Sequence, residues 1–177
     1  MNRYRNFQAI AVMMMIFSFI ACNNSTETPP IVKSTTMTPN GGFEYRFGDA
    51  TKPPPYHRSF TISIKPGMVR LEITSYGDIL LKDSSLLTEA QYFDFVSKVA
   101  ALKLSIKKEN PSNDCTGGAT DYLALYTDTP DELRGYLYHC GSTDFGNLEG
   151  EVEKCIQLFH DMVPDLGKKL DSTRVQE

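Results

Sequence analysis

A histidine and a cysteine stand next to each other in the stretch YHCG, Tyr138 to Gly141. A cysteine thiolate is a strong nucleophile, and a nearby histidine is the base that most often removes the thiol proton. Asp144 follows this pair closely in the sequence, and a second cysteine, Cys115, lies 24 residues before His139. One hypothesis is therefore an enzyme of thiol or hydrolytic type, centred on Cys115, His139, Cys140 and Asp144.

Adjacent residues in a strand argue against that chemistry, because their side chains point to opposite faces of the sheet. His139 is thus poorly placed to hydrogen-bond with Cys140, and nothing in the sequence brings His57 or His160 nearby. We therefore assign no catalytic residue and favour a protein that is not an enzyme.

Metal and phosphate sites are also not indicated. The chain has no C-x-x-C and no histidine pair at helical spacing for zinc, and SNDCTGGATD lacks the alternating carboxylates of a calcium loop. The stretch GSTDFG lacks the Lys-Ser/Thr pair of a phosphate-binding loop, and Glu149, Glu151 and Glu153 would repel an anion there. We expect no metal and no cofactor, and we expect these glycines to form a turn before a helix capped by Asn147 or Asp144.

A group of tyrosines offers a different function, which is binding. Two predicted strands, YLALYT and LRGYLYHC, are joined by the turn DTPDE and alternate leucines with aromatic or charged residues. If the leucines face the core, the opposite face carries Tyr122, Tyr126, Arg134, Tyr136 and Tyr138. Exposed tyrosines beside an arginine suit the binding of proteins or sugars. Tyrosine also simply favours strands, and the N-terminal segment could cover this face.

The remaining elements follow from hydrophobic periodicity. Alternation on both sides of Pro66-Gly67 predicts a hairpin with one buried face, from Ser59 to Gly77. DILLKDS at Asp78 to Ser84 predicts a third strand, and FEYRFGD at Phe43 to Asp49 is a candidate for a further strand ahead of the hairpin. The residues expected to face the core are Ile62, Leu71, Ile73, Leu123, Leu125 and Leu137.

Two amphipathic helices are predicted. Thr88 and Gln91 form a capping box before a helix that runs to about Lys103, and a polar loop, KKENPSNDCTGGATD, follows it. A last helix spans Leu148 to Val163 and is stopped by Pro164. The apolar positions of the two helices are Tyr92, Phe95, Val96, Val99 and Leu102, and Val152, Cys155, Ile156 and Phe159.

The order β-β-β-α-β-β-α indicates an α+β domain. We expect an antiparallel sheet of about five strands, with both helices packed on one face and the other face open to solvent.

The first residues indicate where the protein resides. Arg3 and Arg5 precede an uncharged apolar run, Phe7 to Ala21, which is the layout of a secretory signal and is short for a membrane span. The end of this run together with the next residue, Phe19-Ile20-Ala21-Cys22, resembles the lipobox of bacterial lipoproteins. The resemblance implies cleavage after Ala21 and a diacylglycerol on the Cys22 thiol. Acyl chains of this kind hold a protein on a membrane.

The composition after that cleavage point fits a tethered domain. We expect a leader at 1–21, a flexible Thr-, Ser-, Pro- and Asn-rich tether at 22–42, one domain at 43–168 and a polar tail at 169–177. The chain is acidic overall, with a net charge of −4, and lacks basic clusters. It is therefore not expected to bind nucleic acid.

Three cysteines remain for an oxidising compartment, so one is left unpaired. Cys155 lies on the apolar stripe of the last helix, where a thiol behaves as a small hydrophobe. We expect a Cys115–Cys140 disulfide, and Cys140–Cys155 is the competing pairing.

The stretches CTGGATDYLALY and GYLYHCGSTDFGN resemble a family of small bacterial envelope proteins with no assigned activity, over roughly Phe43 to Leu166. The overall prediction is a lipid-anchored protein of the cell envelope that faces the periplasm or exterior. Its domain would bind a protein or glycan partner, and the thiol or hydrolytic enzyme is the alternative.

Overall fold

The computed structural model describes residues 41–49, 52–110, 117–125 and 132–174. The predicted leader and most of the tether lie outside these ranges, as do Cys22, Cys115 and Tyr126. None of the helices within the described ranges has the length and apolar character needed to cross a membrane.

The described residues form eight strands and three helices. The strands are β1 Phe43–Asp49, β2 Ser59–Lys65, β3 Met68–Ser75, β4 Asp78–Leu86, β5 Ser105–Asn110, β6 Ala119–Leu125, β7 Leu133–Cys140 and β8 Thr143–Glu149. The helices are α1 Glu89–Ala101, α2 Val152–Asp161 and α3 Leu166–Ser172.

The strands make one sheet in the order β4-β3-β2-β1-β6-β7-β8-β5, and every neighbouring pair is antiparallel. The α+β class and the antiparallel sheet are therefore confirmed. The expectation of about five strands and two helices was wrong, since the described residues contain eight strands and three helices.

Two of the additional strands lie where a loop and a turn were expected. β5 begins two residues before the predicted polar loop and ends inside it. β8 replaces the predicted turn and the start of the last helix, so α2 begins only at Val152. Asn147 caps no helix, because its Oδ1 accepts a hydrogen bond from the Tyr136 N–H at 2.9 Å. Asp144 is likewise a strand residue that contacts His139.

Gly146 allows β8 to lie close to β7. Its φ is +120°, and a Cβ atom there would lie 2.2 Å from the Tyr136 carbonyl oxygen. Only glycine adopts this conformation at such a short distance without strain. The pairing of β8 with β7 thus depends on a contact between residues of separate strands, which a local hydrophobic pattern does not reveal.

α3 spans the end of the predicted domain and the start of the predicted polar tail. Leu166 and Leu170 pack against the core and give this short helix an apolar side. Lys169 Nζ also contacts Asp83 Oδ2 of β4 at 2.8 Å. The boundary predicted after residue 168 therefore falls inside this helix.

Aromatic side chains join the helices to one face of the sheet. Phe43 of β1 contacts Phe95 of α1, with ring centroids 5.3 Å apart. Tyr45, on the same face of β1, contacts Phe159 of α2 at 5.7 Å, and Phe95 and Phe159 contact each other at 5.3 Å. The helices therefore share one face of the sheet, as predicted.

The predicted core is largely confirmed. The residues expected to face inward are buried, with Leu137 only partly so: Ile62, Leu71, Ile73, Leu123, Leu125 and Leu137. The Thr88–Gln91 capping box is present at the start of α1.

Replacing Phe159 by alanine tests this packing. We expect Phe159→Ala to lower the free energy of unfolding by about 3–5 kcal/mol, because a fully buried ring is removed. Phe93→Ala on α1 is the matched control, since Phe93 is 44% exposed and its loss should change stability by no more than about 0.5 kcal/mol. Urea denaturation measures the free energy of unfolding of both variants. An equal decrease in the two would contradict the packing described.

Candidate functional site

The outer face of the sheet, which is the face opposite the helices, carries a pair of tyrosines. Tyr122 of β6 and Tyr136 of β7 are direct cross-strand partners. Their ring centroids lie 5.8 Å apart at an interplanar angle of 35°. Tyr122 is 48% exposed. We call Tyr122, Tyr136 and Tyr138 the tyrosine face.

Charged side chains surround these rings. Arg46 of β1 is the cross-strand partner of Tyr122, and its Nε donates to Glu44 Oε1 at 2.5 Å. Arg134 forms an ion pair with Glu132 at 2.6 Å. A shallow depression of about 230 Å³ lies between these groups and is lined in part by Glu44, Arg46, Tyr122, Arg134 and Tyr136.

Hydrogen bonds hold two of the tyrosine hydroxyls. The Tyr136 hydroxyl donates to Glu109 Oε1 of β5, and this bond raises the pKa of Tyr136. The Tyr138 hydroxyl donates to the Gly117 carbonyl at 2.8 Å, and its ring lies 6.4 Å from that of Phe145. These bonds restrict the rings, so a ligand would meet a partly preorganised aromatic surface.

The structure brings together most of the residues predicted for binding. In the register of β6 and β7, one face of the sheet carries Tyr122, Tyr136, Tyr138 and Arg134. Tyr126 lies outside the described residues. Arg46 was not predicted. It follows the buried Tyr45 in β1 and therefore faces the other side of the sheet, so the alternation in FEYRFGD could have revealed it.

A second polar cluster lies on the helix-facing side of the sheet. His139 Nε2 is 2.6 Å from Asp121 Oδ2, and His139 Nδ1 is 2.8 Å from Asp144 Oδ1. The buried hydroxyl of Tyr45 donates to Asp121 Oδ1 at 2.6 Å. We call these four residues the His139 cluster.

The two carboxylates determine the charge of His139. Burial alone would lower the pKa of His139, but hydrogen bonds to Asp121 and Asp144 and the charges of both carboxylates raise it overall. Burial also raises the pKa of Tyr45, and the hydrogen bond to Asp121 raises it further. The cluster therefore favours a protonated imidazole between two carboxylates, with a neutral phenol at its buried end.

This geometry bears on the proposed Cys-His chemistry. Both ring nitrogens of His139 are engaged by carboxylates, so neither is available to deprotonate a thiol. Cys140 Sγ and the Tyr138 hydroxyl both lie near the Gly117 carbonyl, at 3.6 and 2.8 Å, so Cys140 is on the side of the tyrosine face. The structure thus unites His139 with Asp144 but separates His139 from Cys140.

Sequence reasoning missed Tyr45 and Asp121 in the His139 cluster. Asp121 is 7% exposed and Tyr45 is 1% exposed. A single aspartate at the start of a leucine-rich strand was the available signal, because a buried carboxylate requires a partner.

Cys155 lies where it was predicted, on the apolar stripe of α2, and it is free and buried. Burial raises the pKa of Cys155 to about 12. The competing Cys140–Cys155 pairing was therefore wrong. The Cys115–Cys140 pairing stays a prediction, since Cys115 lies outside the described residues.

Comparisons of the chain with protein-family models, with curated proteins and with solved structures found no match.

The raised pKa of His139 predicts a pH-dependent stability. A histidine whose pKa is higher in the folded state stabilises the fold below its unfolded pKa of about 6.5 and loses that contribution as pH rises through the folded pKa. We therefore expect the free energy of unfolding to decrease above pH 6.5 by more in the wild type than in His139→Gln. Urea unfolding at a series of pH values measures this difference.

The comparison of the two proteins removes the opposite contribution of His160. Burial lowers the pKa of His160, so its contribution decreases as pH falls instead. Both proteins contain His160, and the difference between them reports on His139. If the free energy of unfolding changes with pH in the same way in the wild type and in His139→Gln, His139 is not a protonated group held between the two carboxylates.

Proposed function

We propose that this chain is a lipid-anchored protein of the cell envelope, and that its domain is a non-enzymatic binding module whose tyrosine face holds a protein or glycan partner. The observation that carries the proposal is the paired Tyr122 and Tyr136 on the sheet face that the helices leave open.

Physical chemistry supports a binding role for this pair. A tyrosine ring has a large apolar surface and a polar hydroxyl, so it contacts both peptides and sugar rings with little loss of side-chain entropy. Arg46 and Arg134 beside the rings add charged hydrogen-bond donors that are already held by acidic neighbours. Aromatic and arginine side chains together are enriched at binding hot spots.

The lipid anchor is supported by the sequence. The lipobox-like stretch ends at Cys22, and the first strand begins at Phe43. If residues 23–42 form the predicted tether, they reach at most about 65 Å when fully extended. The tyrosine face could then meet a partner at some distance from the membrane surface.

The Cys115–Cys140 disulfide is supported by the position of Cys140. Its Sγ lies 3.6 Å from the carbonyl oxygen of Gly117, which is two residues beyond Cys115 in the sequence. A bridge here would fasten the segment before β6 to the end of β7, next to Tyr138. In the chain-entropy model a loop of this size contributes about 3–4 kcal/mol to stability.

The alternative, an enzyme of thiol or hydrolytic type, is favoured by one contact. Asp144 lies 2.8 Å from His139, as a carboxylate that orients a catalytic histidine would. The second carboxylate, Asp121, occupies the other ring nitrogen that a catalytic base needs. The binding module therefore accounts for the geometry better.

Removing both paired rings tests the binding proposal. We expect Tyr122→Ala/Tyr136→Ala to fold normally and to bind its partner at least about thirtyfold more weakly, because a hot-spot aromatic contributes about 2 kcal/mol or more. Two assays measure binding: cross-linking to proteins in native envelope membranes, and cosedimentation with isolated cell-wall glycan.

Tyr76→Ala is the matched control, since Tyr76 is 61% exposed and lies at the turn between β3 and β4. It should bind like the wild type in both assays. If the double variant retains every cross-linked protein and all glycan binding, the tyrosine face is not the binding surface.

The mass of the intact protein extracted from membranes tests the anchor and the disulfide. We expect a chain that lacks residues 1–21, carries acyl groups on Cys22, and gains alkylation at Cys115 and Cys140 only after reduction. The buried Cys155 thiol should resist alkylation until the protein is unfolded. An unmodified N-terminus would overturn the anchor, and alkylation of Cys115 without reductant would overturn the disulfide.

A further inference from the structure

Six neighbouring strands carry one continuous line of cross-strand partners on the outer face of the sheet. Each residue of this line lies directly opposite the next, from β7 at one end to β4 at the other. The residues in order are Tyr136, Tyr122, Arg46, Thr61, Glu72 and Lys82. Because neighbouring strands lie about 4.8 Å apart, the line is about 24 Å long. We call it the outer row.

The outer row follows a trough in the sheet. A depression of about 820 Å³ lies over β1 to β4 and is lined mainly by polar residues. It shares Glu44 and Arg46 with the smaller depression beside Tyr122 and Tyr136. The two depressions therefore adjoin, so a ligand seated on the tyrosine rings can continue across the sheet toward Lys82.

Hydrogen-bond donors and acceptors lie side by side in the part of the trough beyond the tyrosines. Arg46 Nε donates to Glu44 Oε1 at 2.5 Å, and Lys82 Nζ lies 3.1 Å from Glu72 Oε2. Thr61 adds a hydroxyl between these two ion pairs. The side chains of Arg46, Glu72 and Lys82 are exposed and can contact a ligand. Such pairs suit sugar hydroxyls, because each hydroxyl both donates and accepts.

The charges of the trough are largely compensated. Glu44, Glu72 and Glu132 each form an ion pair with an arginine or lysine of this face. Arg70 contributes one further cation. An anionic polymer such as a nucleic acid is held by many basic side chains whose charge is available to its phosphates. The trough therefore suits an uncharged ligand better than an anionic one.

The position of the aromatic rings argues against a protein as the ligand. Aromatic hot spots of protein interfaces cluster near the centre of the interface, in desolvated pockets. Here Tyr122 and Tyr136 lie at one end of the outer row, and its other four residues are polar. A sugar chain needs no apolar centre, because its rings stack on aromatic side chains and its hydroxyls bond to polar groups.

We propose that the outer face binds an uncharged linear glycan along the outer row. One sugar ring contacts the tyrosine pair, and the following rings hydrogen-bond with the polar part of the row as far as Glu72 and Lys82. This inference rests on the proposed binding function and names the class of its ligand. It also extends the site from the tyrosine face to β4.

Titration calorimetry of the full chain with cellohexaose and chitohexaose tests the proposal, in a detergent without a sugar head group. We expect at least one of these hexasaccharides to bind at one saturable site per chain. The trisaccharide of the same sugar should bind at least about tenfold more weakly, because it reaches only part of the outer row. Hexagalacturonate, which carries carboxylates, should bind more weakly than the uncharged hexasaccharide.

Removing the far end of the outer row provides the second measurement. Glu72→Ala/Lys82→Ala should fold, because exposed ion pairs contribute little to stability. It should bind the hexasaccharide about tenfold more weakly and the trisaccharide like the wild type, since only the longer sugar reaches β4. Asp94→Ala/Lys98→Ala is the matched control, because it removes an exposed ion pair of α1 on the other side of the sheet. It should bind both sugars like the wild type.

Three results would overturn the inference: no binding of either uncharged hexasaccharide, tighter binding of hexagalacturonate, or unchanged hexasaccharide binding by Glu72→Ala/Lys82→Ala. The proposed binding function has a separate test, because Tyr122→Ala/Tyr136→Ala should weaken the binding of both the hexasaccharide and the trisaccharide. If no hexasaccharide binds but this variant loses a cross-linked protein, the ligand is a protein and the binding function stands. Sugar binding that survives the loss of both tyrosines would overturn the tyrosine face itself.

Discussion

The pairing of β1 with two partners holds the sheet together. β1 bonds to β2 on one side and to β6 on the other, so it joins the β2-β3-β4 meander to the β6-β7-β8-β5 half. Without it, β2 and β6 would each expose an unpaired edge. The same strand directs Phe43 and Tyr45 toward the helices and Arg46 toward the outer face. Both faces therefore depend on the register of this one strand.

The register of β1 also sets the hydrogen bonds between β1, β6 and β7 on the helix-facing side. Tyr45, on the helix-facing side, reaches diagonally to Asp121 of β6, and Asp121 reaches on to His139 of β7. A shift of one residue would move Tyr45 to the outer face and break this chain of hydrogen bonds. The His139 cluster is therefore a hydrogen-bonded polar network across four neighbouring strands, buried at Tyr45 and Asp121 and exposed at Asp144.

Features with a local pattern could be predicted from the sequence. The hairpin around Pro66-Gly67 alternates strictly, and the capping box at Thr88 is a local hydrogen-bond pattern, so both were found. β5 and β8 could not be found in the same way. β5 is an edge strand rich in charge, and β8 contains Gly146, so only their pairing with neighbours makes them strands. The tyrosine face was predicted because it needs only alternation. The His139 cluster was missed in part because it needs the register between four strands.

The proposed binding function requires the outer face of the sheet to be the surface that meets a partner. Oxidative footprinting of tyrosines, on the purified chain and on the same protein in native envelope membranes, tests this most directly. Tyr76 serves as the internal reference because it is 61% exposed and lies away from the tyrosine face. We expect Tyr122 to be modified readily in the purified chain and to be protected, relative to Tyr76, in the membranes. Equal modification of Tyr122 in both preparations would contradict the account.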